Sequence, residues 1–189
     1  MRFAPVLFLL TLIGLTALPA ATLAQGGPTL DAALDRLYDR LAKAQSDKEA
    51  ENIAIAIQRS ELRSGSDTAD LLMDRALTAL QASKTDTAIK LLNAVIHLRP
   101  QYAEAWNKRA TAYYLKNDYV RSIADIAQTL SRNPREYGAW NGLGMMLIDI
   151  GDKKHAYEAL KKALAINPHL PDAQKALNKL KDDVEGRDI

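Results

Sequence analysis

The chain of 189 residues contains no cysteine. This absence excludes disulfides, thiolate metal sites, cysteine nucleophiles and the acylated cysteine of a bacterial lipoprotein. The chain also lacks an excess of charge of one sign, because it contains 25 Lys and Arg and 23 Asp and Glu. These charges are interspersed and form no long acidic or basic run. Nucleic-acid binding therefore has no electrostatic support, and the fold must be stabilised by packing alone.

Catalytic and metal-ligating patterns are missing as well. The three histidines, His97, His155 and His169, show no metal-ligand spacing. Carboxylates are plentiful, as on any helical surface, but the sequence singles out no pair of them in an apolar setting. We therefore predict no catalytic residue, no metal site and no cofactor, and we interpret the histidines as solvated or helix-capping groups.

An apolar run of about 20 residues, which a membrane-spanning helix requires, is absent. The apolar stretch at 3–18 is shorter than this and follows one arginine, while small Thr22 and Ala24 precede Gln25. This layout is typical of a secretory signal peptide. We predict a signal peptide at 1–24 and a periplasmic or secreted product that does not contact the membrane after cleavage. A retained leader acting as an anchor is the alternative.

The chain does contain an internal repeat, with a period of about 34 residues. The positions that recur in register are Pro100, Pro134 and Pro168; Ala76, Ala110 and Gly144; and Ala88, Ser122 and Ala156. A fixed period of this length predicts a stack of identical supersecondary units. We place the units at 69–102, 103–136 and 137–170, each with two helices. The polar turns that separate the helices are Ser83-Lys84-Thr85, Asn117-Asp118 and Gly151-Asp152.

Further helices flank the repeat on both sides. After a short linker at 25–29, leucines 30, 34, 37 and 41 form the stripe of an amphipathic helix. We interpret 30–66 as a helical hairpin, a degenerate repeat that caps the N-terminal end of the stack. Residues 171–184 are expected to form a polar helix that caps the other end, followed by a tail at 185–189.

These units resemble tetratricopeptide (TPR) repeats. The third unit carries the signature most fully, at Trp140, Leu143, Gly144, Leu147, Ala156, Leu160, Ala163 and Pro168. In the first two units Arg75 and Arg109 replace the signature leucine. The resemblance implies an all-α, right-handed α-solenoid of TPR helix pairs with an N-terminal hairpin and a C-terminal capping helix. The whole chain is also similar to small exported TPR proteins of Gram-negative bacteria.

The resemblance also implies a concave groove lined by the first helix of each unit. Partner-binding candidates at the groove-facing places are Met73, Leu77, Asn107, Lys108, Thr111, Tyr114, Asn141, Gly142 and Met145. The apolar members would form a floor, and the Asn and Lys side chains would supply hydrogen bonds. Interior packing remains the alternative for the Met and Leu positions.

One known TPR binding mode is missing from these positions. TPR domains that clamp the C-terminal carboxylate of chaperones place Lys and Asn in the first unit, Asn in the second, and Lys and Arg in the third. Here those places hold Met73, Leu77, Lys108, Gly138 and Gly142. We therefore expect no preference for a free C-terminal carboxylate.

The function that these features favour is a non-enzymatic interaction module or scaffold of the bacterial cell envelope, holding a partner segment in the groove. A self-associating assembly factor, in which the hairpin covers a neighbour's end, is the alternative. A small-ligand carrier or an enzyme is a remote alternative that rests on no residue.

Overall fold

The computed structural model describes residues 30–184, so the predicted signal peptide, linker and C-terminal tail lie outside the described residues. Within this range the chain forms nine α-helices and no strand. The helices are α1 Leu30–Leu41, α2 Asp47–Glu61, α3 Asp67–Gln81, α4 Thr85–Leu98, α5 Ala103–Leu115, α6 Tyr119–Arg132, α7 Tyr137–Asp149, α8 Lys153–Ile166 and α9 Pro171–Val184. The predicted all-α fold is confirmed.

The turn inside each unit is the same structure three times. Ser83, Asn117 and Gly151, which occupy the same register position in successive units, have φ values of 56°, 58° and 85°. The next backbone N–H donates back over the turn in each case, for example from Asp118 to the carbonyl of Tyr113 at 2.9 Å. This left-handed residue with a six-to-one hydrogen bond is a Schellman motif, which ends one helix and redirects the chain into the next.

Small residues hold the two helices of each unit close together. In the third unit, a Cβ added to Gly144 would lie 2.7 Å from both Cγ and Cδ2 of Leu160. Ala76 and Ala110 occupy the same register in the other units and are 0% and 2% exposed. The recurring small residue is therefore required by close helix packing.

Consecutive units are joined by a repeated hydrogen bond to the proline carbonyl. Trp106 Nε1 donates to the carbonyl of Pro100 at 3.0 Å, and Trp140 Nε1 donates to that of Pro134 at 2.9 Å. Each tryptophan thus anchors the first helix of its unit to the end of the preceding unit. The recurrence of tryptophan in these two units thus has a geometric cause.

Arg109, which departs from the TPR signature, makes a buried ion pair inside the second unit. Its Nε and Nη2 donate to the two oxygens of Asp125 on α6 at 2.7 and 2.8 Å, and its Nη1 donates to Asn93 Oδ1 at 2.7 Å. The guanidinium also lies over the Trp106 ring, 4.9 Å from its centroid. A bidentate, stacked arginine of this kind replaces the packing that leucine supplies elsewhere.

The hairpin α1–α2 does not take the place that the sequence suggested. We expected it to cap the free end of the first unit, but α1 approaches α8, and Tyr137 and Ile166 of the third unit pack against the hairpin core. Apolar side chains shared with the third unit, rather than stacking on α3, decide where the hairpin lies. It therefore runs along the edge of the solenoid at which the turns between units meet.

At the C-terminal end of the stack, α9 covers the third unit. Ala173 and Leu180 of α9 are buried together with Tyr157 and Leu160 of α8. The apolar face of the last repeat is thereby removed from water. None of the helices in the described range is long and apolar enough to span a membrane.

Candidate functional site

The first helices of the second and third units present an open, mixed surface. Thr111 is exposed, and Met145 is 37% exposed. Tyr114 lies half-buried between the two helices, where its hydroxyl donates to Asp149 Oδ2 on α7 at 3.1 Å. That hydrogen bond raises the pKa of Tyr114. The tyrosine therefore links α5 to α7 and shows part of its ring to solvent.

Asn141, one turn before Met145 on α7, carries an unused acceptor. Its Oδ1 is buried and finds no hydrogen-bond partner among residues 30–184. A buried amide oxygen without a donor costs about 1–3 kcal/mol.

Two of the predicted groove residues, Met73 and Leu77, belong to interior packing, which is the alternative left open for the Met and Leu positions. Met73 is 0% exposed and belongs to the core of the first unit, and Leu77 packs against the same core. At Gly142, an added Cβ would lie 3.9 Å from Ile126 Cδ1 of the preceding unit. Met73 and Leu77 face neighbouring helices because the first unit uses its large apolar groups for its own packing.

Asn107 and Lys108 of α5 are both bound by one glutamate. Glu104 Oε1 lies 2.7 Å from Lys108 Nζ, and Glu104 Oε2 accepts from Asn107 Nδ2 at 3.0 Å. Burial alone would lower the pKa of Lys108, but the attraction of neighbouring glutamates, Glu104 first among them, raises it. Lys108 is therefore a half-buried ammonium, with its side chain 22% exposed, and it has a fixed partner within the protein.

Glu104 is one member of a buried carboxyl cluster that we define as Glu61, Glu104 and Glu136. One oxygen from each lies within 4.8 Å of the others. Glu104 and Glu136 are 5% and 6% exposed. Among the described residues these are the carboxylates placed closely enough to share a cation, and Lys108 already supplies one positive charge there.

Two members of the cluster, Glu61 and Glu136, bring carboxyl oxygens within 4.8 Å of each other. Two carboxylates offer only acceptors, so a direct hydrogen bond between them requires a proton. Burial raises the pKa of Glu136 well above its usual range, and repulsion from Glu61 and Glu104 adds to the rise. The pKa of Glu61 is raised first by burial as well. Burial and mutual repulsion thus both favour a proton on the pair.

Neutral donors complete the cluster. Tyr38 donates to Glu61 Oε1 at 2.5 Å, and Asn133 Nδ2 donates to the same oxygen at 3.0 Å. Glu136 Oε1 accepts from the backbone N–H of Gly138 at 2.8 Å as the cap of α7. A Cβ at Gly138 would lie 2.7 Å from that oxygen, so the glycine makes room for the capping carboxyl group.

A cavity of about 800 Å³ adjoins the cluster on the edge between units. Its walls come from the hairpin and from the turns that precede α5 and α7. The charged residues that line it are Asp35, Glu61, Arg63, Arg99, Glu104, Arg132, Arg135 and Glu136. Charges of both signs line this open cavity, and Met145 is not among its lining residues.

The carboxyl cluster was missed in the sequence, where no glutamate pair stood out. Its members come from the hairpin, the start of α5 and the cap of α7, and Glu61 and Glu104 share no repeat position with Glu136. Only the return of the hairpin onto the third unit brings Glu61 to Glu136. The sequence signal for the position of the Glu136 carboxyl group is Gly138, because a glycine at the start of a helix leaves room for a preceding side chain to cap that helix.

Comparison with known proteins identifies the repeat. Tetratricopeptide repeat models match residues 73–128 and 137–170. A TPR repeat-containing protein of Rhizobium etli is 33% identical over 153 residues, which is 81% of this chain and 75% of the relative. The chain belongs to the tetratricopeptide repeat family. The TPR resemblance seen in the residues is thereby confirmed.

Solved TPR structures share the fold at lower identity. The first TPR of Spaghetti (RPAP3), bound to the HSP90 peptide SRMEEVD, superposes with a TM-score of 0.60 at 19% identity, covering 62% of this chain and 94% of that one. The type III secretion chaperone SycD of Yersinia enterocolitica, in complex with a peptide of the translocator YopD, gives 0.59 at 18% identity, covering 62% and 95%. Both TPR proteins bind peptide segments of other proteins.

Proposed function

We propose that this TPR protein is a non-enzymatic interaction module that holds a segment of a partner protein on the concave surface of its second and third units. The observation that carries the proposal is the open surface formed by the exposed Thr111 and Met145 around the half-buried Tyr114, which links α5 to α7. The Met145 thioether and the Tyr114 ring favour an apolar side chain of the segment. The peptide complexes of related folds support this mode.

The compartment forms a second part of the proposal. The leader at 1–24 supports export, so we propose that the partner is a protein of the bacterial cell envelope. Self-association draws less support, because the hairpin makes its apolar contacts with the third unit of its own chain. A mass that rises with protein concentration in light scattering would favour the assembly role instead.

The groove is tested by charge insertion at an open position. Met145→Arg places a charged side chain beside Asn141 without disturbing a buried contact, so we expect at least about tenfold weaker partner capture. The measurement is crosslinking and mass spectrometry in the native envelope. Gly142→Arg is less suitable because its side chain would start towards Ile126.

A matched control separates groove effects from effects of added charge. Ala124→Arg adds the same group at an exposed position of α6, on the second helix of a unit. Partner capture should remain at the wild-type level in this variant. Equal loss in both variants, or no loss with Met145→Arg, would place binding on another face.

A second prediction concerns the ligand's terminus. The peptide SRMEEVD with a free carboxylate should show no binding up to about 1 mM, corresponding to less than about 4 kcal/mol of binding free energy. The reason is that buried Met73 and two glycines stand where a carboxylate clamp needs charged or amide groups. Fluorescence anisotropy measures this directly. Binding that disappears when the peptide is amidated would contradict the prediction.

A further inference from the structure

The hairpin is fastened to the third unit at two places that both need a proton. The first lies at the start of α2. His169, in the turn between α8 and α9, directs Nδ1 at Asp47 Oδ1 at 2.6 Å and Nε2 at the carbonyl oxygen of Ala44 at 3.0 Å. A carbonyl and a carboxylate only accept hydrogen bonds, so both ring nitrogens must donate. The contact is complete only with a charged imidazolium.

The second place lies at the end of α2. Carboxyl oxygens of Glu61 in the hairpin and Glu136 at the cap of α7 lie within 4.8 Å of each other, and burial together with the nearby Glu104 favours a proton on this pair. Asn133 joins the two parts as well, since its Nδ2 lies 3.1 Å from the Tyr38 hydroxyl and 3.0 Å from Glu61 Oε1. Loss of the proton would leave two adjacent buried carboxylates.

Other contacts between the hairpin and the repeats are an ion pair and ring contacts. Arg135 Nη2 lies 2.7 Å from Asp39 Oδ1, and its guanidinium covers the Tyr38 ring at 5.0 Å. Tyr38 and Tyr137 meet edge to face at 6.5 Å. These contacts involve exposed carboxylates or a ring edge, so they guide the hairpin without compensating for a buried charge.

We propose that the α1–α2 hairpin is a proton-dependent latch, docked on the third unit when the Glu61–Glu136 pair and His169 are protonated, and released when these protons are lost. The segment 62–66 between α2 and α3 forms its hinge. Gly65, with φ of 73°, supplies a backbone conformation there that other residues rarely adopt. Release uncovers Tyr137 and the carboxyl groups that line the cavity.

Both protons act in the same direction. Docking raises the pKa of Glu136, through burial and nearby carboxylates, and that of His169, through its hydrogen bonds to Asp47 and Ala44. A group whose pKa is raised in the docked form stabilises docking at low pH, and this contribution is lost as the pH rises through the docked value. The latch therefore closes in acid and opens towards alkaline pH.

The charges around the two proton sites are consistent with this direction. Lys108 is the cation nearest the cluster, and it is already paired with Glu104. Around His169 the acidic groups Asp47 and Glu49 both favour the protonated ring. The other titratable or charged groups that face the cluster or line its cavity are Asp35 and Tyr38 from α1, Arg63 from the hinge, Asp70 and Asp74 from α3, Arg99 and Tyr102 before α5, Arg132 from α6, Arg135 before α7, and Tyr137 from α7.

The latch is tested by a distance measurement across it. The chain has no cysteine, so Arg36→Cys on α1 and Glu158→Cys on α8, both at exposed positions, provide unique sites for spin labels. Electron–electron double resonance should give one narrow distance at about pH 5 and a longer, broad population at about pH 8.5. The ratio of docked to released protein should fall about tenfold per pH unit for each proton, and up to about a hundredfold for two.

Variants assign the response to the two sites. Glu136→Gln replaces an ionisable member of the pair by a neutral amide, and His169→Gln removes the imidazolium, so each should reduce the slope to about tenfold per pH unit. The double variant should lose the pH dependence. His155→Gln is the matched control, because His155 contacts Asp152 of its own helix cap and not the hairpin.

The wild-type titration alone is decisive. A distance distribution that does not change between about pH 5 and about pH 8.5, while far-UV circular dichroism shows intact helices, would overturn the proposal. A double variant that follows the wild-type curve would overturn it as well. No partner is present in the experiment, so its failure would leave the proposed binding function unaffected.

Discussion

Arg109→Ala is expected to lower the free energy of unfolding by about 3 kcal/mol, because it leaves a buried carboxylate without its partner. Asp125 is 4% exposed and receives two hydrogen bonds from the guanidinium. The substitution also removes the stacking on Trp106 and the bond to Asn93. The midpoint of urea unfolding, followed by circular dichroism, measures the loss.

The repeat supplies a matched control for this arginine. Arg75 occupies the same place in the first unit but is exposed, so Arg75→Ala should change the stability by less than about 0.5 kcal/mol. The double variant Arg109→Leu/Asp125→Leu should recover most of the loss, because an apolar pair of similar volume replaces the buried ions. Equal effects at both arginines would show that burial of the pair is not the cause.

The Arg109–Asp125 contact also left a signal in the sequence, in the residues that occupy equivalent places of the repeat. In the second unit both residues stand where the third unit has Leu143 and Ala159. Two departures from the repeat within one unit, of opposite charge, indicate a compensating pair. A register comparison of all three units would have predicted this contact.

The repeat itself was predictable because its causes are local. The turns at Ser83, Asn117 and Gly151 are set by backbone conformation within a few residues, and the small residues face a helix of the same unit. Each such feature recurs once in every unit, so three copies reinforce one signal. The confirmed fold class rests on these short-range patterns.

The position of the hairpin was not predictable in this way. Its contacts join Tyr38 to Asn133, 95 residues apart, and His169 to Asp47, 122 residues apart, and each occurs once. A leucine stripe predicts that α1 has an apolar face, but the same face can pack on any apolar neighbour. The carboxyl cluster depends on this placement, and for that reason it was missed along with it.

The second large loss of stability is expected for a substitution of Leu160, at the place where α7 and α8 approach closely. Leu160 is 0% exposed and packs with Tyr157, Ala173 and Leu180. Leu160→Ala should lower the free energy of unfolding by about 2–5 kcal/mol, because it removes buried apolar contacts and leaves a cavity. Chemical denaturation measures this loss.

In the Leu160→Ala background, Gly144→Ala is expected to change the free energy of unfolding in the opposite direction. With Leu160 present, Gly144→Ala places a Cβ 2.7 Å from two leucine atoms, so overpacking outweighs the better helix propensity and the protein loses about 1 kcal/mol. With Leu160→Ala those atoms are gone, and the same Cβ fills part of the cavity. Gly144→Ala should then stabilise the protein by about 1 kcal/mol.

Gly142→Ala distinguishes packing from helix propensity on the same helix. Its Cβ would meet Ile126 Cδ1 at 3.9 Å, an ordinary contact, so it should stabilise by about 0.5–1 kcal/mol in both backgrounds. Two double-mutant cycles measure the coupling of each glycine with Leu160. We expect a coupling energy of about 2 kcal/mol for Gly144 and none for Gly142. If Gly144→Ala changes the free energy of unfolding in the same direction in both backgrounds, contact with Leu160 is not the reason for the small residue at this repeat position.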